Sequence, residues 1–329
     1  MATATATATA PNPDKILREF SNLWTDAAKQ EGSGDGTGLL RACSMTLIAF
    51  IDDEDDSTAV GETIALLMRE HPSRAIVIRL CERPDVLEAR VFAQCWMPFG
   101  HNQQVCCEQV ELTASLNRLK DVPSVVGPLA APDLPRVVWI RSSRLSGAPD
   151  ISGVLTLGDK LIVDSSRPGA PAFADLRFLA SAGLIIGDLA WTRITKLREL
   201  LAQLLAGKDL STIKRVTIEH CGTETGQEAK YLQAWLRSAL AGATVDFRRT
   251  GEEGGGSIKR ISVEWASGDP LHIQVSSGCA TFESGALRQR ANLSSNADHS
   301  LLGEELSIIK HDRVFEQTLR RMTVWTLGS

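Results

Sequence analysis

Two short apolar runs with a helical pattern between them constrain this chain more than any other feature. Met45–Ile51 (MTLIAFI) and Ala75–Cys81 (AIVIRLC) are almost continuously apolar rather than alternating. Such a run suits a strand covered on both faces. Between them, Val60, Ile64, Leu67 and Met68 recur at the spacing of one helix face, and Pro72 ends that helix. Strand, helix and strand within about 40 residues form a βαβ unit, so the sheet is at least partly parallel. Ser57 is the expected N-cap, with the carboxylates of DDEDD (52–56) beside the positive end of the helix dipole.

Length then sets the domain count. At 329 residues, and about 150 residues per domain, two domains are expected. Asp14–Ala28 reads as an amphipathic helix, and EGSGDGTG (31–38) as a flexible linker whose glycines precede a strand instead of following one. That order excludes a strand–loop–helix phosphate cradle. Extended runs at Val91–Pro98 and Gln104–Thr113 predict an antiparallel addition. A short helix over Ser124–Ala130 and strands at Val137–Arg141 and Leu161–Val163 complete an N-terminal α/β domain.

In the second half, Asp188 caps a helix with Trp191, Ile194, Leu197, Leu201, Leu204 and Leu205 on one stripe, and Gly207 sits at its end. Val216–Ile218 predicts a strand. Thr225 and Glu228 stand at capping-box spacing before a helix carrying Leu232, Trp235 and Leu236. From residue 258 the period becomes two. Ile261, Val263 and Trp265 alternate with polar residues, as do Leu271, Ile273 and Val275, which predicts an antiparallel meander with one wet face. Helical residues 300–322 follow. The fold class is therefore α/β: a mixed, mostly parallel sheet with helices, then an α+β domain with an antiparallel meander and terminal helices. Expected boundaries are 1–38 for tail, helix and linker, 39–182 for the first domain, and 183–329 for the second.

Charge and composition narrow the function. The net charge is −5, with 43% hydrophobic and 23% charged residues. A weakly acidic surface argues against nucleic acid or an anionic membrane as partner. No apolar run approaches the ~18 residues of a membrane span. MATATATATA (1–10) lacks a basic region and a leucine-rich core, so no secretory signal is expected and the chain is placed in the cytoplasm. The seven cysteines sit mostly in apolar runs and are expected to be buried thiols in a reducing compartment.

Catalytic and metal-binding motifs are missing: no GxSxG, HExxH, CxxC pair or Walker loop occurs. The expectation is no catalytic residue, no metal and no cofactor. Adjacent Cys106 and Cys107 project to opposite sides of a strand and cannot clasp one metal. The acidic run 52–56 could chelate Mg²⁺, but a solvated loop and helix cap are favoured. Glu219–Gly222 could set an imidazole beside a thiol, against the favoured alternative of an ordinary loop.

Two stretches stand out as interaction candidates. In EHPSR (70–74), Arg74 can bind a carboxylate or phosphate. In GDLAWTRI (187–194), Trp191 and Arg193 are of the types most enriched at binding hot spots, although periodicity favours Trp191 packing inward.

EHPSRAIVIRL (70–80) and GDLAWTRITKLRELL (187–201), with LAAPDLPRVVWI (129–140) and CGTETGQEAKYLQAWL (221–236), resemble the glucose-6-phosphate dehydrogenase assembly protein family, OpcA. The likeness runs over about residues 40–322. It implies a non-enzymatic protein that binds glucose-6-phosphate dehydrogenase, favours its active oligomer and raises its substrate affinity. His71, Ser73, Arg74, Asp188, Trp191 and Arg193, which lie in the two main motifs, are the expected partner-binding residues. The tail, the acidic run and the paired cysteines lie outside the family pattern. The alternative is an α/β enzyme or sensor for a phosphorylated sugar.

Overall fold

The computed structural model describes residues 11–31, 39–96, 104–148, 151–253, 255–276, 278–293, 295–308 and 310–325. The N-terminal decapeptide and residues 32–38 of the expected linker fall outside them, while Glu31 belongs to the first helix. Two compact units emerge. The first holds residues 1–163, 167–170 and 184–186; the second holds 164–166, 171–183 and 187–329.

Unit one opens with helix α1 (Pro13–Glu31), followed by β1 (Leu39–Arg41), β2 (Met45–Asp52), α2 (Ser57–Glu70) and β3 (Ser73–Cys81). As the apolar runs predict, β2 and β3 pair in parallel, and nearly every residue in them is buried. Helix α2 contributes Val60, Ile64 and Met68 to a cluster with Ile51, Ala75 and Val77. Its N-cap is Asp56 rather than Ser57: the Asp56 carboxylate accepts from the Thr58 amide at 2.8 Å. Both residue types cap helices, and the carboxylate won by one position.

Strands β4 (Leu87–Trp96) and β5 (Gln104–Ser115) form the expected antiparallel pair, and β5 also runs parallel to β3 and β1. Helix α3 (Val122–Leu129), β6 (Arg136–Ile140), α4 (Ile151–Leu155) and β7 (Lys160–Val163) follow. After α5 (Phe173–Ser181) comes a strand that the sequence reading lacked, β8 (Ile185–Asp188). The sheet order is β1-β5-β3-β2-β6-β7-β8, with β4 on β5.

In unit two the expected single helix after Asp188 is interrupted at Ile194, giving α6 (Leu189–Arg193) and α7 (Thr195–Leu205). Strand β9 (Ile213–His220), helix α8 (Gln227–Ala239) and strand β10 (Thr244–Arg249) form a second parallel connection, β10 having escaped the sequence reading. The meander is as predicted: β11 (Ile258–Trp265), β12 (Leu271–Ser276), β13 (Cys279–Ser284) and β14 (Leu287–Asn292) pair antiparallel in order. Helices α9 (Asp298–Ser307) and α10 (Arg313–Trp325) follow, with α10 against α8 and α5, and α9 against α6.

The cap of α8 also corrects the sequence reading. Gly226, not Thr225, is the N-cap, and the Thr225 hydroxyl instead bonds the His220 Nε2 at 3.2 Å. Gly226 is required there because a Cβ would sit 2.6 Å from the carbonyl oxygen of Gly256. Gly256 has φ +82°, and a Cβ on it would lie 2.4 Å from the Gly226 amide nitrogen. Two glycines thus let the 255–257 loop touch the start of α8 backbone to backbone.

Candidate functional site

The HPSR segment turns out to be a packed joint. His71 is the C-cap of α2, its amide donating to the Leu67 carbonyl at 2.7 Å, and its side chain is half-buried. Ser73 begins β3 and is buried. Arg74 is buried too. Its Nε donates to Glu108 Oε2 on the neighbouring strand at 2.6 Å, Nη1 donates to the Leu129 carbonyl at 2.6 Å, and the guanidinium lies over the Phe20 ring at 5.4 Å. A guanidinium so placed binds a carboxylate, as its chemistry suggests, but the carboxylate is the protein's own.

The acidic run is neutralised in the same internal way. Asp52 accepts from the Ser143 amide and hydroxyl at 2.9 and 2.8 Å, and from the Ser142 hydroxyl. Asp55 pairs with Arg141 at 3.0 Å, while Arg144 reaches Asp53 at 3.0 Å, Glu82 at 3.3 Å, and Glu54. Among the described residues no group of three or more His, Cys, Asp or Glu side chains is placed to hold a metal ion.

Cysteine chemistry departs from expectation at two positions. Cys106 is disulfide-bonded rather than a free thiol, and Cys43 is exposed. The β4–β5 register sets Cys95 opposite Cys106. Cys81, Cys107, Cys221 and Cys279 are buried and free, and burial pushes the Cys107 thiol up to about 11. At the end of β9, His220 and Cys221 do not bond each other's side chains. The ring nitrogens meet the Cys221 carbonyl and Thr225, while the Cys221 thiol lies 3.4 Å from the Ser257 hydroxyl.

The DLAWTR block gathers several buried polar bonds in unit two. Asp188 is fully buried and caps α6: its Oδ1 accepts from the Ala190 and Ser165 amides at 2.9 and 3.0 Å, and its Oδ2 from the Tyr231 hydroxyl at 2.7 Å. Burial raises the Asp188 carboxyl to about 6, against the opposing pull of these donors. Burial, then the Asp188 charge and hydrogen bond, hold the Tyr231 phenol well above its ordinary value.

Trp191 packs inward, as periodicity favoured. Its indole N–H donates to Asp312 at 3.2 Å, its ring meets Tyr231 and Phe315, and the Arg198 guanidinium lies 3.4 Å from the ring centroid. Burial lowers Arg198 to about 10, partly offset by the charges of Asp312 and Glu304. Thr192 donates to the buried Glu305 at 2.7 Å. One short helix therefore ties α8, α9 and the start of α10 together.

Arg193 alone of the block lies partly open. It forms a bidentate pair with Asp164, Nη1 to Oδ1 at 2.9 Å and Nη2 to Oδ2 at 2.5 Å, and reaches Ser166 at 2.8 Å and Glu228 at 3.3 Å. Burial opposes the charge on both partners, but their pairing outweighs it, holding Asp164 below the usual carboxylate value and Arg193 above the usual guanidinium value. It lines a cleft of about 560 Å³ with residues that include Ser257, Lys259, Ser276 and Gly278.

Ser73, Arg74, Asp188 and Trp191 are thus buried among their own unit's side chains, and His71 and Arg193 are half-buried. Arg74 lies in unit one and the DLAWTR residues in unit two. Tyr231, Asp164, Asp312 and Glu305, which complete these networks, carry no local sequence signal. Only the fold brings them to the motif.

Comparison with known proteins gives a consistent picture. Residues 65–180 match a family described as glucose-6-phosphate dehydrogenase subunit N-terminal domain, and residues 185–319 match the corresponding C-terminal domain. The OxPP cycle protein OpcA of a Synechocystis strain is 27% identical over 202 residues, covering 58% of this chain and 41% of that protein. The protein of the same name from Nostoc punctiforme is 26% identical over 213 residues, covering 62% and 44%. The chain therefore spans less than half the length of the curated relatives it matches. Among solved structures, the 3-ketoreductase KijD10 of Actinomadura kijaniata with NADP aligns at TM-score 0.47 and 11% identity, covering 84% of this chain and 94% of that one. So distant a likeness says nothing about chemistry. With both halves matched in order, and the HPSR and DLAWTR blocks inside the matched segments, the chain belongs to the OpcA family of glucose-6-phosphate dehydrogenase assembly proteins.

Proposed function

We propose that this chain is a non-catalytic cytoplasmic partner of glucose-6-phosphate dehydrogenase, an allosteric activator that favours the enzyme's active oligomer and raises its affinity for substrate. The observation that supports this reading is the match of both halves to domains described as a subunit of that dehydrogenase. The geometry is compatible with it. The family motifs spend their charged and aromatic groups on internal bonds, as expected of residues that stiffen a docking platform. Arg74 and Trp191 would act on a partner by holding the surface around them in shape, as positioning residues.

An activator moves an equilibrium only by binding one state more tightly than the other. A preference of about 1.4 kcal/mol shifts the population tenfold. A complex of that kind buries more than about 1,000 Å². The test is a kinetic titration of glucose-6-phosphate dehydrogenase with the purified chain. A saturable fall in the apparent KM for glucose 6-phosphate supports the reading, and an unchanged KM at all ratios overturns it. The chain alone should turn over no sugar phosphate.

A further inference from the structure

Unit two carries a cleft to which neither the family match nor the activator role gives a purpose. Its walls are the 255–259 stretch, Val275, Ser276 and Gly278 around the β12–β13 turn, the end of α6 and the first turns of α7 and α8. At about 560 Å³ it falls in the size range of small-molecule sites. The walls belong to a single unit.

The lining has a specific chemistry. Of its charged residues, Arg193 is held by Asp164 and by Glu228, at 3.3 Å, and Lys259 is the one wall cation whose carboxylate partner is not itself in the lining. Lys259 is 41% exposed, and its partner Glu252, at 3.3 Å, is 62% exposed and lies off the wall. So open an ion pair holds its ammonium weakly and releases it readily to a stronger anion. Three serines line the polar side; Ser166 is engaged by Asp164 and Arg193, whereas the bonds of the other two hydroxyls inside the protein are poor ones. Ser257 meets the Cys221 sulfur at 3.4 Å, and Ser276 meets the Cys279 sulfur at 3.0 Å. A thiol is a weak donor and a weak acceptor, so an oxygen ligand at either serine gains a better bond than the one it displaces. Asn296 adds an amide, and Ile194 and Leu197 supply an apolar floor.

We propose that this cleft binds a small hydroxylated anion of the phosphorylated-sugar class. Lys259 anchors the anionic group, with the fixed Arg193 behind it; Ser257, Ser276 and Asn296 take the hydroxyls, and the apolar floor meets the carbon face of the ring. The site belongs to this chain alone, so it stands or falls independently of the dehydrogenase partnership.

The test is calorimetric titration of the full chain with three probes: glucose 6-phosphate, glucose and inorganic phosphate. Glucose 6-phosphate is expected to saturate with an affinity about tenfold or more above either fragment, since only it engages both ends of the cleft. Lys259→Met should weaken it about fivefold or more and Ser276→Ala about threefold, both variants melting within about 2 °C of the parent. Three results would overturn the assignment. They are no saturable binding of any probe, binding that neither substitution changes, and inorganic phosphate binding as tightly as the sugar phosphate.

Discussion

Arg74 shows how a residue chosen for recognition chemistry serves the fold. Its guanidinium and the Glu108 carboxylate are both buried at 2.6 Å. Removing Arg74 takes a short guanidinium bond from a buried carboxylate, so Arg74→Ala should cost about 3–5 kcal/mol. The double variant Arg74→Met with Glu108→Leu should be more stable than Arg74→Ala, because it leaves no buried charge; denaturant titration of the three proteins checks both outcomes. Asp188 makes a second case. Asp188→Ala leaves the Ser165 and Ala190 amides and the Tyr231 hydroxyl unmatched. A loss on the order of 3 kcal/mol is expected. Asp188→Asn keeps the acceptor and the cap, and should cost much less. The pH dependence has a definite sign. Burial raises the folded carboxyl from 3.8 to about 6, so the folded state holds the proton more tightly than the unfolded one. Stability from this group is full below the lower value and falls as pH rises towards the upper one. Relative to Asp188→Asn, the parent should therefore lose stability between pH 4 and 6.

At the scale of elements, what was legible and what was not follows from physical signal strength. Strands β2 and β3 could be read because two covered faces demand an apolar residue at nearly every position. The meander could be read because one wet face imposes period two. Strand β8 could not: IIGD offers two apolar residues before a glycine and a cap, too few for any period. The break between α6 and α7 was hidden because Ile194 keeps the apolar stripe in phase while its backbone, at φ −96° and ψ 6°, leaves the helix. Of the site, the motifs were visible but their role was not, since burial of Arg74 and Trp191 depends on Phe20, Glu108, Asp312 and Phe315, remote in sequence. The Gly226–Gly256 contact has a direct test. Gly256→Ala combines a positive φ with a backbone overlap at 2.4 Å. It should destabilise by about 2–4 kcal/mol, whereas Gly242→Ala, with nothing within 4 Å, should change little. Thermal melts of both variants separate the two cases.

For the whole molecule, the two units each build a sheet with helices and lock one family motif inside it. Among the described residues no helix is long and apolar enough to cross a membrane. Side chains already held by bonds within their own unit lose little further freedom on docking, so little binding energy goes to ordering them. Substitutions that loosen the motifs, such as Trp191→Ala, should therefore weaken activation of the dehydrogenase together with stability. Lys259→Met, at a half-buried position whose ion pair is open to solvent, should leave the fold intact. Sedimentation velocity of glucose-6-phosphate dehydrogenase with and without the chain examines the association itself. The account predicts that a faster-sedimenting species containing both proteins grows with added chain, and that it carries the low-KM activity. Two boundaries that sediment independently at every ratio, with the enzyme's oligomer distribution unchanged, would contradict it.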